Sequence, residues 1–352
     1  MLKRLQRRFG LSHKGAVDTV KGSLLSALQN ISFMFPVAIL YYAVNDLING
    51  ISLSSRWPFY TTCSLICCAV ILATAKLQYD GTFLRTYEES GVRRITLAEK
   101  LRKIPLSFFA KKDLADLTSA IMNDSAVLET SQSHYVCPLA GAMVSTTLIS
   151  IALLFFSWKM AIAAIWPIPV SLLIVCFASG VQKKLSSKSR EAKLKAEDGI
   201  QEFIECFADL KSNNAEQSYL NDLEKKIRYS EKRIVCSELG TAAFITASSL
   251  ILKLGIATVA LTGSVLYAES EISMMTFFMF LIVASRFYDP LEGSLQNLAA
   301  IIATNTNINR MNEILDYPIQ TGSDKLTNTS SDIEFDNVAF SYDNGVSVLK
   351  DV

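Results

Sequence analysis

Two cations stand inside stretches that otherwise carry no charge. Lys253 interrupts the apolar run Leu239 to Tyr267, and Arg286 follows directly on the apolar run Ile272 to Ser285. Each lies about 14 residues, or roughly 20 Å at 1.5 Å per residue, inward from the outer end of its run. A cation held in hydrocarbon costs about 2.5–3.5 kcal/mol on insertion scales, so it is retained where it meets an anionic group or an internal partner. Asp289 lies one helical turn after Arg286 and Glu292 a turn further, which suits internal pairing. Lys253 has no acid near it in sequence, which favours an anionic group on a bound molecule. Other chemistries find little support. The seven cysteines fall mostly in apolar runs and read as reduced buried thiols. Cys63, Cys67 and Cys68, or His134 with Cys137, supply too few ligands for a metal centre. Two histidines, at 13 and 134, offer no base and orienter pair for nucleophilic catalysis.

The elements that must position these cations are membrane helices. Hydrophobic residues make up 50% of the 352, and the formal net charge of +1 hides a segregation of Lys and Arg into a few polar stretches. Such a balance gives no reason to expect a nucleic-acid partner. Six charge-poor runs recur: Leu24 to Val44, Trp57 to Ala75, Pro138 to Ser157, Met160 to Ser179, Leu239 to Tyr267 and Ile272 to Ser285. A crossing needs about 20 residues, which the first five supply. The sixth is completed through Arg286 to Leu298 if that part faces protein or water. Pro36, Pro167, Pro169 and Pro290 mark kinks, because proline removes a backbone donor. The fold class is therefore an all-α membrane protein with six long transmembrane helices. Aromatic and sulfur side chains on the first and sixth, among them Phe33, Tyr41 and Phe280, either line an adaptable apolar cavity or serve as ordinary packing and lipid-facing residues.

Orientation follows from the connections. The N-terminal tail, Lys76 to Lys112 and Lys183 to Arg233 are rich in Lys and Arg, which places them and both chain ends on the cytoplasmic side. Met1 to Gly15 reads as a short basic amphipathic helix lying at the membrane surface. The apolar segment after it is too long for a signal peptide and is only the first of several. The two long connections are polar yet helix-prone, and each breaks near its middle. They read as helical arms that leave the membrane for about 35–40 Å, turn and return. Pro105 breaks the first, leaving Leu106 to Ala110 as an apolar knob whose exposed Phe108 and Phe109 either dock a partner or close the hairpin. Asn213 and Asn214 break the second.

The chain ends in strand chemistry. Ile333, Phe335, Val338, Phe340 and Tyr342 alternate with one slip at Asp336 and Asn337. Asp343, Asn344 and Gly345 then supply a turn into Val346 to Leu349. Two strands cannot hold a fold, so the expectation is a chain truncated inside a domain that follows.

These features together resemble the transmembrane half of an ABC transporter of the exporter-type fold. The resemblance covers essentially the whole chain. Ile104-Pro105-Leu106-Ser107-Phe108-Phe109, followed by Asp116-Leu117 and Asn123-Asp124, resembles the first coupling-helix region of that family, with Ala115 where glycine is usual. Ala208-Asp209-Leu210-Lys211 resembles the second intracellular loop, Asn309 to Asp316 the linker after the sixth helix, and Ile333 to Tyr342 the first strands of the ATPase domain. The sixth-helix ending Arg286 to Leu291 is similar, over a short stretch, to siderophore-associated members.

The resemblance implies an elbow helix over 1–19, a six-helix domain over 20–316 with cytoplasmic extensions and coupling helices, a linker over 317–331, and the β-strand start of a nucleotide-binding domain over 332–352. It implies coupling roles for Leu106, Phe108, Phe109, Asp209, Asn213 and Asn214. Substrate-pathway roles fall to Lys253, Arg286, Phe33, Tyr41 and Phe280, and adenine stacking to Tyr342. The phosphate-cradling Gly-x-x-x-x-Gly-Lys-Ser/Thr loop is absent from the sequence, so ATP and Mg2+ belong to a longer parent, which is expected to be the ATPase. Expected partners are the lipid bilayer, an identical or homologous second half-transporter, nucleotide-binding domains and a small amphipathic substrate, in the plasma membrane. A non-pumping scaffold or channel of the same fold is the alternative, and an ion-coupled carrier a more distant one.

Overall fold

A computed structural model describes residues 2–52, 55–322, 335–341 and 347–350. The first helix, α1 (Leu2–Phe9), is short. It stops where Gly10 takes a left-handed φ of 58°, which a side chain would resist. Six long helices follow: α2 (His13–Ile48), α3 (Trp57–Lys103), then α5 (Leu114–Phe156), α6 (Trp158–Glu205), α8 (Glu216–Ala268) and α9 (Met274–Leu295), each apolar and long enough to cross a membrane. Two short helices sit between them, α4 (Leu106–Lys111) and α7 (Phe207–Ser212). The last helix among the described residues is α10 (Leu298–Asp316). Three breaks fall ahead of prolines that cannot donate, whereas the helix runs unbroken through Pro169. The helix turns at Phe33 and Met34 ahead of Pro36, at Trp166 ahead of Pro167, and at Tyr288 ahead of Pro290.

Several helices far exceed a bilayer. The 53 residues of α8 reach about 80 Å at 1.5 Å each, so much of α8 and its neighbours forms stalks. In the first stalk α3 and α5 carry three π-helical turns, Asp80–Leu84, Ala120–Asp124 and Ser131–Val136. Each inserts extra winding that re-aims the side chains beside it.

Two apolar clusters hold the bundle. Among the membrane helices, Met160, Leu252, Val259, Phe280, Phe287, Tyr288 and Leu291 are buried together. Gly255 lets α8 approach Tyr288, since a Cβ there would collide with its phenol ring. The Tyr288 hydroxyl then donates to the Ala164 carbonyl at 2.7 Å. The second cluster lies in the first stalk, where Leu97, Ile104, Phe108, Leu117 and Leu128 meet Ile308, Met311 and Ile314 of α10.

Within the stretch Met1 to Gly15, expected as one helix, α1 covers Leu2–Phe9 and the next helix has begun by His13. Phe9, at the end of α1, packs on the stalk cluster. Ser12 caps α2 by accepting from the Gly15 N–H at 2.9 Å, while its own N–H and hydroxyl donate to Glu89 at 2.6 and 2.7 Å. That bond network turns the chain from α1 into α2 against α3.

At the far end, β1 (Phe340–Ser341) pairs antiparallel with β2 (Ser347–Leu349), Phe340 opposite Leu349. The pairing falls inside the two stretches expected as strands, but residues 335–339, which the alternation includes in the first strand, are not in a strand. Tyr342, the turn Asp343 to Gly345, and Ile333 lie outside the described residues.

Candidate functional site

The two intramembrane cations are both paired. Arg286 Nη1 sits 3.4 Å from Asp289 Oδ2, the one-turn partner that its sequence suggests. Lys253 Nζ lies 3.5 Å from Glu292 Oε1, across from α8 to α9. Lys253 therefore has an acid after all. Sequence distance hid it, because only the packing of α8 on α9 brings residues 253 and 292 together. The Lys253 and Arg286 side chains remain 62% and 67% exposed, so a further group has access to both cations, while Glu292 behind Lys253 is only 21% exposed.

The aromatic candidates separate. Phe33 is exposed at the break in α2, and Tyr41 is half-buried with its ring edge-on to Tyr42 at 5.6 Å. Phe280 is 1% exposed and packs within the apolar cluster that α8 and α9 share with α5 and α6.

The stalk tips carry the short helices. At the first tip Pro105, with extended backbone, starts α4. Leu106 is 84% exposed and Phe109 also faces outward. Phe108 does not: it is 2% exposed, its ring 4.6 Å from that of Tyr317. The expected exposed aromatic pair is thus a split pair, because the segment after α10 folds back and covers one ring. That segment is fixed once more, and the end of α10 is itself tied to the tip. The Gln320 N–H donates to the Lys103 carbonyl at 2.7 Å, and Lys112 Nζ meets Glu313 Oε1 at 2.7 Å.

At the second tip α7 bridges the stalk arms. Asp209, Asn213 and Asn214 are exposed. The Asn213 amide donates to the Asp209 carbonyl at 2.9 Å, closing the helix end, and Asn214 takes a φ of 49° to reverse the chain. Phe203 stacks on Tyr219 at 5.7 Å, and the Tyr219 hydroxyl donates to Glu202 at 2.7 Å. Those contacts hold the arms together beside the tip.

Sequence reading missed an ionic junction in the first stalk. Arg310 of α10 lies 3.5 Å from Asp124 and 3.8 Å from Asp116. Asn307 donates to the other Asp124 oxygen at 3.2 Å. Asp124 is 4% exposed, and burial pushes its carboxyl above the usual range while Arg310 pulls it back. The signal was a charged residue recurring at the stalk-facing positions of α10, but its partners are unreadable without the fold.

Residues 59–291 match the family described as ABC transporter transmembrane region. The chain is 23% identical over 314 residues to an ATP-dependent lipid A-core flippase of Desulfotalea psychrophila, covering 86% of this chain and 54% of that protein. It is 22% identical over 265 residues to the mycobactin import ATP-binding/permease protein IrtB of Mycobacterium bovis, covering 72% and 45%. It is likewise 22% identical over 276 residues to a fatty acid ABC transporter ATP-binding/permease protein of Mycobacterium tuberculosis, covering 76% and 43%. The chain spans about half the length of the curated relatives it matches. With six apolar helices, two stalks ending in short cross-helices and a family match over most of its length, the chain belongs to the ABC transporter transmembrane region family, as a multi-pass membrane protein.

Proposed function

We propose that this chain is the membrane half of an ATP-driven transporter that moves an amphipathic molecule by alternating access. The observation that carries the proposal is mechanical. Leu106 and Phe109 on α4, and Phe207 on α7, are apolar and exposed at the ends of stalks whose helices run on into the membrane spans. Exposed apolar groups on rigid levers suit docking to a separate domain. A push on α4 or α7 moves α3, α5, α6 and α8 as bodies.

In this reading, residues 1–19 form the elbow, 20–316 the six-helix domain, 317–331 the linker and 332–352 the start of a nucleotide-binding domain. Leu106, Phe109, Asp209, Asn213 and Asn214 contact that domain, with Phe108 seated behind them. Lys253, Arg286, Phe33 and Tyr41 border the pathway. ATP and Mg2+ bind to the nucleotide-binding domains, with Tyr342 against adenine. The basic stretches put both termini on the cytoplasmic face of the plasma membrane. A second half-transporter, identical or homologous, completes the pathway. This is supported by the α6–α8 stalk, whose apolar Leu194, Ile200 and Ile204 are exposed. The relatives' cargos, named as lipid A-core, mycobactin and fatty acid, share an amphipathic character that such a pathway accommodates.

The test is reconstitution of the full-length protein in liposomes with labelled lipid, fatty acid and siderophore. ATP-dependent flux of one of them supports the proposal, and its direction follows from the side of accumulation. Nucleotide binding without flux of any cargo, or conductance in its place, would support the scaffold or channel alternative.

A further inference from the structure

We infer that the side of α6 where it leaves the membrane binds an anionic phospholipid, with Lys184 and Lys188 on the phosphate headgroup and Leu173 and Phe177 along an acyl tail. The inference needs only the membrane topology and stands apart from the transport reading.

The charge pattern of the sequence comes first. Residues 183–190, Lys-Lys-Leu-Ser-Ser-Lys-Ser-Arg, hold four cations and no acid, and they begin just after the apolar run Met160 to Ser179. At 1.5 Å per residue Lys184 lies about 8 Å beyond that run, in the headgroup layer, and Lys188 about 14 Å beyond it. The long Lys188 side chain reaches back toward the same layer.

The helical period puts head and tail contacts on one face. Successive members of the set Leu173, Phe177, Lys184 and Lys188 are spaced by one or two turns, so their side chains leave α6 within a stripe about 60° wide. Leu173 and Phe177 are 68% and 84% exposed, and both lysines are exposed beyond them. Cations near a span suffice to orient it in the bilayer. Their alignment under two exposed apolar side chains adds the shape of a lipid standing beside the helix. Ile200 and Ile204, proposed to meet a second half-transporter, lie about 160° round the helix from Lys184 and Lys188, so covering them leaves the stripe open.

Ion pairing sets this level of the stalk apart. Further from the membrane the cations find acids one turn away: Lys195 meets Glu191 at 2.8 Å and Lys193 meets Glu197 at 3.7 Å, while on α8 Lys226 meets Asp222 at 3.1 Å. Lys183, Lys184, Lys188 and Arg190 make no ion pair among the described residues. Leu185 lies against Gly240 of α8, which brings Glu231 and Glu238 near the same level, yet neither pairs with these cations. Charge is thus balanced down the stalk and unbalanced beside the headgroups. An anionic leaflet supplies the missing partner, each cation at its surface being worth about fivefold in affinity.

The experiment uses the full-length protein in phosphatidylcholine nanodiscs, doped with one of two photoreactive lipids of equal tails that bear a phosphatidylglycerol or a phosphatidylcholine head. Labelling of peptides from Leu173 to Arg190 is expected to favour the phosphatidylglycerol probe by about tenfold or more, and the preference should shrink as salt is raised. Lys184→Gln with Lys188→Gln should lower the preference about tenfold. Lys184→Arg with Lys188→Arg should keep it, which separates lost charge from lost fold. Lys193→Gln with Lys195→Gln, where the charges are already balanced, should leave it within about twofold. Equal labelling by both probes, a preference that survives the loss of Lys184 and Lys188, or one that the lower pair removes equally, overturns the proposal. Full competition by soluble glycerol phosphate overturns it too, because the site would then take a free anion and make no use of the tail.

Discussion

The Phe108 ring, at the tip of the first stalk, lies 4.6 Å from the ring of Tyr317, just beyond the last helix. A tip residue is thereby tied to the segment that leaves α10. Replacing Phe108 with Ala removes a buried aromatic and should cost about 3–5 kcal/mol of stability, read as a fall in the thermal unfolding midpoint in detergent. Tyr317→Ala should cost less, because Tyr317 remains partly accessible. The double variant should fall short of the sum by about 0.5–1.5 kcal/mol, the worth of the ring pair. Strict additivity would show that the two rings do not act together.

Phe109 is a neighbour with the opposite exposure, and its replacement should have the opposite signature. Phe109→Asp places a charge where solvent already reaches, so the unfolding midpoint should move little, within about 0.5 kcal/mol. In the full-length transporter the same change should depress ATP-dependent flux strongly, because an apolar docking contact becomes a buried charge. Unaltered flux would remove α4 from the transmission route.

The Arg310 junction predicts a dependence on pH. Asp124 is buried beside Arg310 at 3.5 Å, and Asn307 holds its other oxygen. Arg310→Ala leaves a buried carboxylate without its cation, at a cost of about 1–2 kcal/mol once the exposure of the guanidinium is allowed for. Removing the cation also raises the Asp124 carboxyl further above its unfolded value. The folded variant then binds more protons than the unfolded chain, so its stability rises as pH falls. The gap from the parent should therefore narrow in unfolding scans run toward acid, and a constant gap would count against the assignment.

The sequence spoke clearly where the physics is local. Runs such as Leu24 to Val44 announce a span through composition, Pro36, Pro167 and Pro290 announce breaks through a missing donor, and the Asn213–Asn214 pair announces a reversal. What stayed hidden depends on which helix lies beside which. Glu292 pairs with Lys253, and Phe108 is covered by Tyr317, only after distant segments meet. Phe280 reads the same in sequence whether it faces a cavity or a core. The π-helical turns leave no compositional trace.

The Lys253–Glu292 pair offers a last test of how α8 and α9 are joined. The groups are 3.5 Å apart, with Lys253 largely open and Glu292 mostly covered. Lys253→Ala should therefore harm the protein more than its own exposure suggests, since it leaves Glu292 unpaired in a place of low dielectric. Glu292→Ala frees an exposed ammonium that can turn toward water or lipid headgroups, and should be the milder change. Exchanging the pair, Lys253→Glu with Glu292→Lys, should recover most of the loss measured by thermal unfolding in nanodiscs. If Lys253 instead serves mainly to hold an anionic group on cargo, the exchange will restore stability but not flux. If both recover together, the lysine is a brace between two helices and lies outside the path of the transported molecule.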